Sequence, residues 1–175
     1  ELEVARARVA VHLGDRVTAL RKLTGLAEEE VYAPRAWTGL GEAHLAIFRA
    51  RAPQPQSPEL DEADDWPTRA DLSEESDDRD LRAAQKALTR AVEREPKAAE
   101  AMLLLAQVWQ RRHGAPESER NARTWLEQAA TTNPKLPRYR EALARFLADT
   151  GELARAEAML RALVDEPGAP PGTSL

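Results

Sequence analysis

The sequence predicts an all-α protein, a right-handed α-solenoid of about four helix pairs, and three observations lead to this prediction. Apolar residues recur at helical spacing, anchor residues repeat at a fixed period, and glycine or proline stands where helices should end. No stretch shows the sustained alternation of apolar and polar residues that would indicate strands. We therefore expect stacked helix pairs, each of which buries its apolar stripe against the next pair.

The composition is that of an ordinary globular protein. Of 175 residues, 42% are hydrophobic and 31% are charged, and the formal net charge is −5. This apolar content supports a core and excludes disorder throughout. The absence of cysteine excludes a disulfide framework, a zinc ribbon and a thiol nucleophile. The longest apolar stretch, residues 101–106, is far too short to insert across a bilayer, so we expect a soluble protein. Its richness in Ala and Arg favours a bacterial source, with the cytoplasm and the periplasm both open as its compartment.

Two columns of anchor residues recur along the chain. The first repeats with shifts of 65, 38 and 34 residues, and the second with shifts of 65 and 38. A base period of 34 residues with two insertions explains these shifts. The first column consists of Ala19, Leu23 and Leu26; Ala84, Leu88, Ala91 and Pro96; Ala122, Leu126, Ala129 and Pro134; and Ala156, Leu160, Leu163 and, one residue early, Pro167. The second consists of Trp37, Leu40, Gly41 and His44; Met102, Leu105, Ala106 and Trp109; and Arg140, Leu143, Ala144 and Leu147.

The columns divide the chain into repeat units. The four units span about 1–33, 34–98, 99–136 and 137–167, and residues 168–175 are expected to form a flexible tail. The helices predicted for the first two units span about 2–13, 15–29, 34–50 and 79–94. Gly14 separates the first two, the Trp37 column lies in the third, and Pro96 ends the fourth.

The last two units show the clearest helical stripes. Their predicted helices span about 97–112, 117–132, 135–149 and 152–165. The first of them carries Met102, Leu105 and Val108 at helical spacing. Gly114 and Gly151 mark the turns within these units. Small residues in the second column let neighbouring helices approach closely.

A long acidic insertion interrupts the second unit at about residues 51–79. Residues 51–80 include 11 acidic and 3 basic residues, a net charge of −8, and the rest of the chain is therefore about +3. The segment is rich in proline and too polar to fold alone, so a flexible acidic loop is expected. Trp66 suggests a second reading, in which the loop folds back and Trp66 anchors it on the groove or on an adjacent edge.

The anchor residues resemble those of the tetratricopeptide repeat family. The fragment Trp37-x-x-Leu40-Gly41-x-x-His44 is similar to the opening of that repeat, and the Ala, large-apolar, Ala, Pro series is similar to its second helix. The resemblance covers about residues 1–167. Glu3, Arg6 and Arg140 depart from it, because large apolar residues belong in those slots.

The resemblance implies a ligand groove lined by the first helix of each pair. The groove residues that it implies are Arg8, His12, Arg35, Thr38, Glu42, Leu103, Gln107, Gln110, Arg111, Arg138, Glu141 and Arg145. The mixture is amphipathic and rich in arginine, which favours a peptide that carries acidic residues. The clamp by which some members bind chaperone tails has no counterpart here. Its slots hold Val4, Arg8, Gly39, Glu100 and Leu104.

The resemblance therefore implies a non-catalytic scaffold or adaptor that binds a protein or peptide within a larger assembly. Two alternatives stay open: an accessory factor of bacterial envelope assembly, of the pilus or cytochrome c maturation type, and a regulatory domain of an enzyme whose catalytic part lies outside this chain. The apolar residues of the last helix also leave open self-association, or further sequence, at an uncapped C-terminal end. Simple exposure of a few leucines is the plainer explanation.

No catalytic, cofactor or metal site is apparent in the sequence. There is no nucleophile elbow and no phosphate-binding glycine loop. His44 is expected to pack in a core slot, and His12 and His113 to lie near the surface, with no pair at metal-binding spacing. Trp37 and Trp109 are expected in the core. We expect no nucleic-acid partner, since the chain is acidic.

Overall fold

A computed structural model describes residues 2–29, 33–51, 69–112 and 117–165, and these residues contain helices and turns but no strand. In chain order the helices are α1 (Leu2–His12), α2 (Arg16–Glu28), α3 (Ala33–Arg51), α4 (Arg69–Arg94), α5 (Ala99–Arg111), α6 (Ser118–Thr132), α7 (Pro137–Asp149) and α8 (Leu153–Val164). The predicted all-α helical-repeat fold is confirmed. Every predicted helix boundary except one lies within two residues of the boundary observed.

The exception is the start of α4. This helix begins at Arg69, whereas the sequence predicted a start near residue 79. Residues 69–80 contain neither proline nor glycine. The two residues that most strongly disfavour a helix interior are therefore missing from this stretch. Residues 69–80 have too few apolar residues to show a helical pattern, so the sequence analysis did not predict a helix there. Trp66 and the prolines of the insertion lie outside the described residues.

The chain divides into two compact units, Glu1–Pro96 and Lys97–Leu175. In the first unit, α3 packs against α2 and α4, and α1 packs against both α2 and α3. Its core combines leucines with many alanines. The buried cluster consists of Val4, Ala7, Val11, Ala19, Leu23, Leu26, Ala27, Ala36, Leu40, Ala43 and Ala87. Because alanine is small, the helix axes can approach closely.

Two glycines of α3 mark the closest helix contacts of the first unit. A Cβ atom placed on Gly41 would overlap the side chain of Leu88 on α4. One placed on Gly39 would come within 2.9 Å of Leu23 Cδ2 on α2. Glycine is therefore required here by packing and not by backbone conformation.

In the second unit, α6 packs against α5 and α7, and α8 packs against α7. Leu105, Val108, Leu126 and Leu147 are almost completely buried, as the anchor columns predict for three of them. Tyr139 and Phe146 complete the face that α7 buries. The second unit therefore has a core of its own, with larger side chains than the alanine-rich first unit.

Glycine ends the first helix of the first and last repeats in the same way. Gly14 and Gly151 adopt φ values of 92° and 87°, in the left-handed region that glycine tolerates. The amide of the next residue, Asp15 or Glu152, donates to the carbonyl oxygen five residues back, at 3.0 Å and 2.7 Å respectively. These are Schellman motifs, and they confirm the predicted turns. No helix among the described residues is long and apolar enough to cross a membrane.

Candidate functional site

Three predicted groove residues of the first unit meet where α1 packs on α3. Arg8 Nε donates a hydrogen bond of 2.6 Å to Glu42 Oε2, and His12 Nε2 lies 3.3 Å from Glu42 Oε1. The side chains of Arg8 and Glu42 are 30% and 19% exposed, so water only partly screens the pair. Glu42 is therefore held between two basic groups of α1.

The other two predicted residues of this unit lie apart from that cluster. Thr38 is buried, and its hydroxyl donates a 2.9 Å hydrogen bond to the carbonyl oxygen of Pro34. It lies beneath the surface, with its hydroxyl hydrogen-bonded within α3, and its place in the groove stays a prediction. Arg35 is exposed.

The second unit holds the remaining predicted residues, on α5 and α7. On α5, Leu103, Gln107 and Gln110 are half-buried and Arg111 is exposed. On α7, Arg138 and Arg145 are exposed and Glu141 is half-buried. The guanidinium of Arg138 lies 4.7 Å from the ring centroid of Tyr139 and donates a 2.5 Å hydrogen bond to its hydroxyl.

A cleft of about 570 Å³ opens in the second unit, between the last turns of α5 and α7 and the start of α6. Gln110 and Arg111 of the predicted groove line it. Trp109 and Phe146 supply aromatic surface, and Glu119 and Asp149 supply carboxylates. The cleft therefore combines apolar surface with charges of both signs, which suits a peptide better than a small apolar ligand.

Two arginines stack on the aromatic residues of this cleft. The guanidinium of Arg112 lies 5.4 Å from the ring centroid of Trp109, and that of Arg123 lies 5.9 Å from the ring centroid of Phe146. The hydroxyl of Ser118 donates a 2.6 Å hydrogen bond to the carbonyl oxygen of Arg112 and ties the start of α6 to the end of α5. These contacts hold the aromatic residues in place before any ligand arrives.

Comparison with known proteins identifies the repeat. Residues 73–122 match the model of the tetratricopeptide repeat family. The chain also resembles the crystal structure of a thermophilic tetratricopeptide repeat protein from Thermus thermophilus, with a TM-score of 0.68 and 24% sequence identity over 93% of this chain and 71% of that one. The chain therefore has the fold of a tetratricopeptide repeat protein. No curated protein matches the sequence.

The candidate site includes residues that the sequence analysis did not assign to it. Trp109 was expected in the core, but it is only half-buried and lines the cleft. Phe146, Glu119 and Asp149 were not singled out at all. The sequence carried only a weak signal for these residues, because they lie on three different helices. Only the packing of the helices shows which helix ends meet.

The expectations for the other aromatic and histidine residues have mixed outcomes. Trp37 is half-buried against the first core, with the guanidinium of Arg90 4.8 Å from its ring centroid. His44 is half-buried in its packing slot, and its Nδ1 atom lies 3.4 Å from Asp80 Oδ1. His12 is exposed, as predicted. His113 lies outside the described residues. Within the described ranges, no group of three or more His, Asp or Glu residues is placed to hold a metal ion.

An ion-pair network joins α6 to the turn before α8. Arg123 pairs with Glu152, and Arg155 Nη1 lies 2.7 Å from the second carboxylate oxygen of Glu152. These bonds lower the pKa of Glu152, with the hydrogen bond from Arg123 as the main cause and that from Arg155 as the next. The same pairing raises the pKa of Arg123. The network holds Arg123 over Phe146, at the edge of the cleft.

Proposed function

We propose that this tetratricopeptide repeat protein is a non-catalytic scaffold that holds a protein or peptide partner against the first helices of its repeats. Tetratricopeptide repeats generally mediate protein–protein interaction, and the fold is typically a non-catalytic scaffold. The cleft of the second unit carries this proposal, because it joins stacked aromatic surface to exposed charged groups next to two groove residues.

The second unit is the better candidate for binding an acidic partner. In the first unit, Arg8 forms an ion pair with Glu42, so the charge of this arginine is already compensated, and His12 lies beside the same carboxylate. In the second unit, Arg111 and Arg145 are exposed. An arginine that is exposed before binding is available to a carboxylate of the partner, which it can hold with two parallel hydrogen bonds.

The experiment is a quantitative pull-down from the native lysate, read by mass spectrometry. The wild-type chain is compared with the groove variant Leu103→Glu, Gln107→Ala, Arg111→Glu and Arg145→Glu, in which Arg111 is a residue that lines the cleft. The matched control is Arg120→Glu, which makes the same charge reversal on an exposed residue of α6 outside the cleft. Circular dichroism confirms that all three chains are folded.

We expect a partner that the wild type and the control capture and that the groove variant loses. Its recovery should also fall with added salt, because charge pairs at a surface are screened. Equal capture by the wild type and the groove variant would contradict the proposal and move the binding surface away from α5 and α7.

The narrower roles predicted from the sequence differ from this proposal only in the partner. An envelope assembly factor should capture a pilus or cytochrome maturation component, and a regulatory domain should capture or adjoin an enzyme. The identity of the captured protein therefore decides between them in the same experiment.

A further inference from the structure

Two helix faces carry exposed apolar residues that no other described helix covers. Leu2 and Val9 of α1 are 64% and 55% exposed, and Leu13, which directly follows α1, is 80% exposed. On α8, Leu153 and Val164 are 66% and 45% exposed. The head face consists of Leu2, Arg6 and Val9 of α1 and of Leu13, which directly follows α1. The tail face consists of the α8 residues Leu153, Glu157, Leu160 and Val164.

The tail face occupies positions that are an interface elsewhere in the chain. By the repeat alignment, its residues Glu157, Leu160 and Val164 correspond to Leu20, Leu23 and Ala27 of α2. In the first unit, these α2 residues pack into the cluster that α2 shares with α3. The tail face is thus the surface of a second helix that normally receives the first helix of the next repeat.

The head face is the complementary half of the same interface. Its residues Leu2, Arg6 and Val9 correspond to Ala36, Leu40 and Ala43 of α3. Those α3 residues are buried in the cluster that α3 shares with α2. The head face is thus the surface of a first helix that normally receives the second helix of the preceding repeat.

The charges of the two faces also match. Each face has one charged residue among apolar ones, Arg6 on the head face and Glu157 on the tail face. Glu157 also pairs with Arg161 of its own helix, at 2.5 Å, and the side chain of Glu157 stays 55% exposed in this pair.

In the repeat alignment, the position of Glu157 corresponds to Arg123 of α6. The guanidinium of Arg123 lies over Phe146 of α7. This position therefore accepts a charged side chain within a packed helix interface. Phe146 occupies the slot of Val9. Because Arg6 lies one helical turn from Val9, a tail-face Glu157 in that register is within reach of Arg6.

We propose that the tail face of one copy of this chain packs against the head face of a second copy, in the register of α2 on α3. The contact joins two different faces, so each dimer keeps one free head face and one free tail face and can add further copies. A contact between a single helix of each copy buries less surface than the roughly 1,200 Å² of a standard stable interface. The association is therefore weak and depends on the protein concentration. The inference goes beyond the proposed function, because neither face contains a groove residue.

The first test reverses the charges of the two faces. Sedimentation velocity is measured from about 10 μM to about 1 mM, the range in which weak contacts become populated. The wild type should associate, and Arg6→Glu and Glu157→Arg should each associate at least about tenfold more weakly, which is about 1.4 kcal/mol. The double variant, and an equal mixture of the two single variants, should recover the wild-type association because each restores opposite charges.

The second test blocks one face at a time. Leu13→Asp blocks the head face and Leu153→Asp blocks the tail face, and both side chains are exposed enough for the fold to survive. Each variant alone should be monomeric, and their equal mixture should form a dimer that grows no further. Val17→Asp, at a residue that is 71% exposed outside both faces, is the matched control and should behave as the wild type.

Several results would overturn the proposal. A folded wild type that stays monomeric over the whole range would show that the faces do not recognise each other. Association by Leu13→Asp alone would indicate a symmetric contact between tail faces, and association by Leu153→Asp alone would indicate one between head faces. Failure of the charge-reversed double variant to recover would show that Arg6 and Glu157 do not meet.

Discussion

At the scale of single residues, small side chains decide how close the helices lie. Gly41 faces Leu88 across the contact of α3 and α4, and a methyl group would overlap it. Gly25, also within a helix, has open space around its Cα atom. Replacing each glycine by alanine therefore distinguishes the effect of packing, at Gly41, from the effect of helix propensity, at Gly25.

We expect Gly41→Ala to lower the free energy of unfolding by about 1–3 kcal/mol, because overpacking outweighs the gain of about 0.5–1 kcal/mol in helix propensity. Gly25→Ala, the matched control, should raise it by about 0.5–1 kcal/mol. Urea unfolding followed by circular dichroism measures both. A stabilising Gly41→Ala would show that α3 and α4 are not in close contact.

A second prediction at this scale concerns Glu152, whose pKa is lowered from 4.5 by Arg123 and Arg155. A lowered pKa means that the native state prefers the ionised carboxylate. The contribution to stability is therefore full above the ordinary pKa and is lost as the pH falls through the lowered value.

The melting temperature of the wild type should thus fall more steeply than that of Glu152→Gln as the pH is lowered from about 6 to about 3. Glu141→Gln, a variant of the same unit outside this ion-pair network, is the control and should keep the wild-type slope. Parallel curves for the wild type and Glu152→Gln would contradict the pairing.

At the scale of elements, the period of the sequence predicts the helices, but local preference extends one of them. The helical spacing of apolar residues and the glycine and proline positions place seven helices to within two residues. α4 begins early, at Arg69, and no glycine or proline interrupts residues 69–80. A hydrophobic pattern carries no information about such a polar stretch.

The start of α4 can be tested with Ser73→Pro. Proline inside a helix removes a backbone hydrogen bond and costs about 3 kcal/mol, so the helix should begin after it. We expect a smaller helical circular dichroism signal and faster amide exchange over residues 69–78, with the core of the first unit intact. An unchanged signal would indicate that this segment is not helical in solution. Ser73→Ala is the control and should preserve the helix.

At the scale of the whole molecule, charge is distributed unevenly along the chain. Residues 51–80 carry a net charge of −8 in a protein whose total is −5. If the groove binds an acidic partner, we predict that this segment competes with the partner for the groove arginines. The reading of Trp66 as an anchor stays a prediction, because residues 52–68 lie outside the described part of the chain.

Deleting residues 54–67 should therefore raise the affinity for the partner found in the pull-down, and the deletion leaves α4 whole. A variant that keeps the segment but changes its acidic residues to Asn and Gln separates the charge from Trp66. If the charge alone competes, both variants should bind equally tightly. An affinity unchanged by the deletion, measured by titration calorimetry, would show that the segment does not compete.

The sequence by itself determined the repeat, the helix pairs and the turns of this protein. Helical periodicity and glycine at the left-handed turns are local properties, since each depends on a few neighbouring residues. Gly14, Gly151 and the anchor columns could be assigned for that reason.

Only the tertiary structure decided which side chains meet. It paired Arg8 and His12 with Glu42, buried Thr38, and brought Trp109, Phe146 and Asp149 to one cleft. These residues lie far apart in the sequence, and nothing in the spacing along one helix specifies the partner that another helix presents. Packing between helices makes that choice, because it depends on the summed shape of both surfaces.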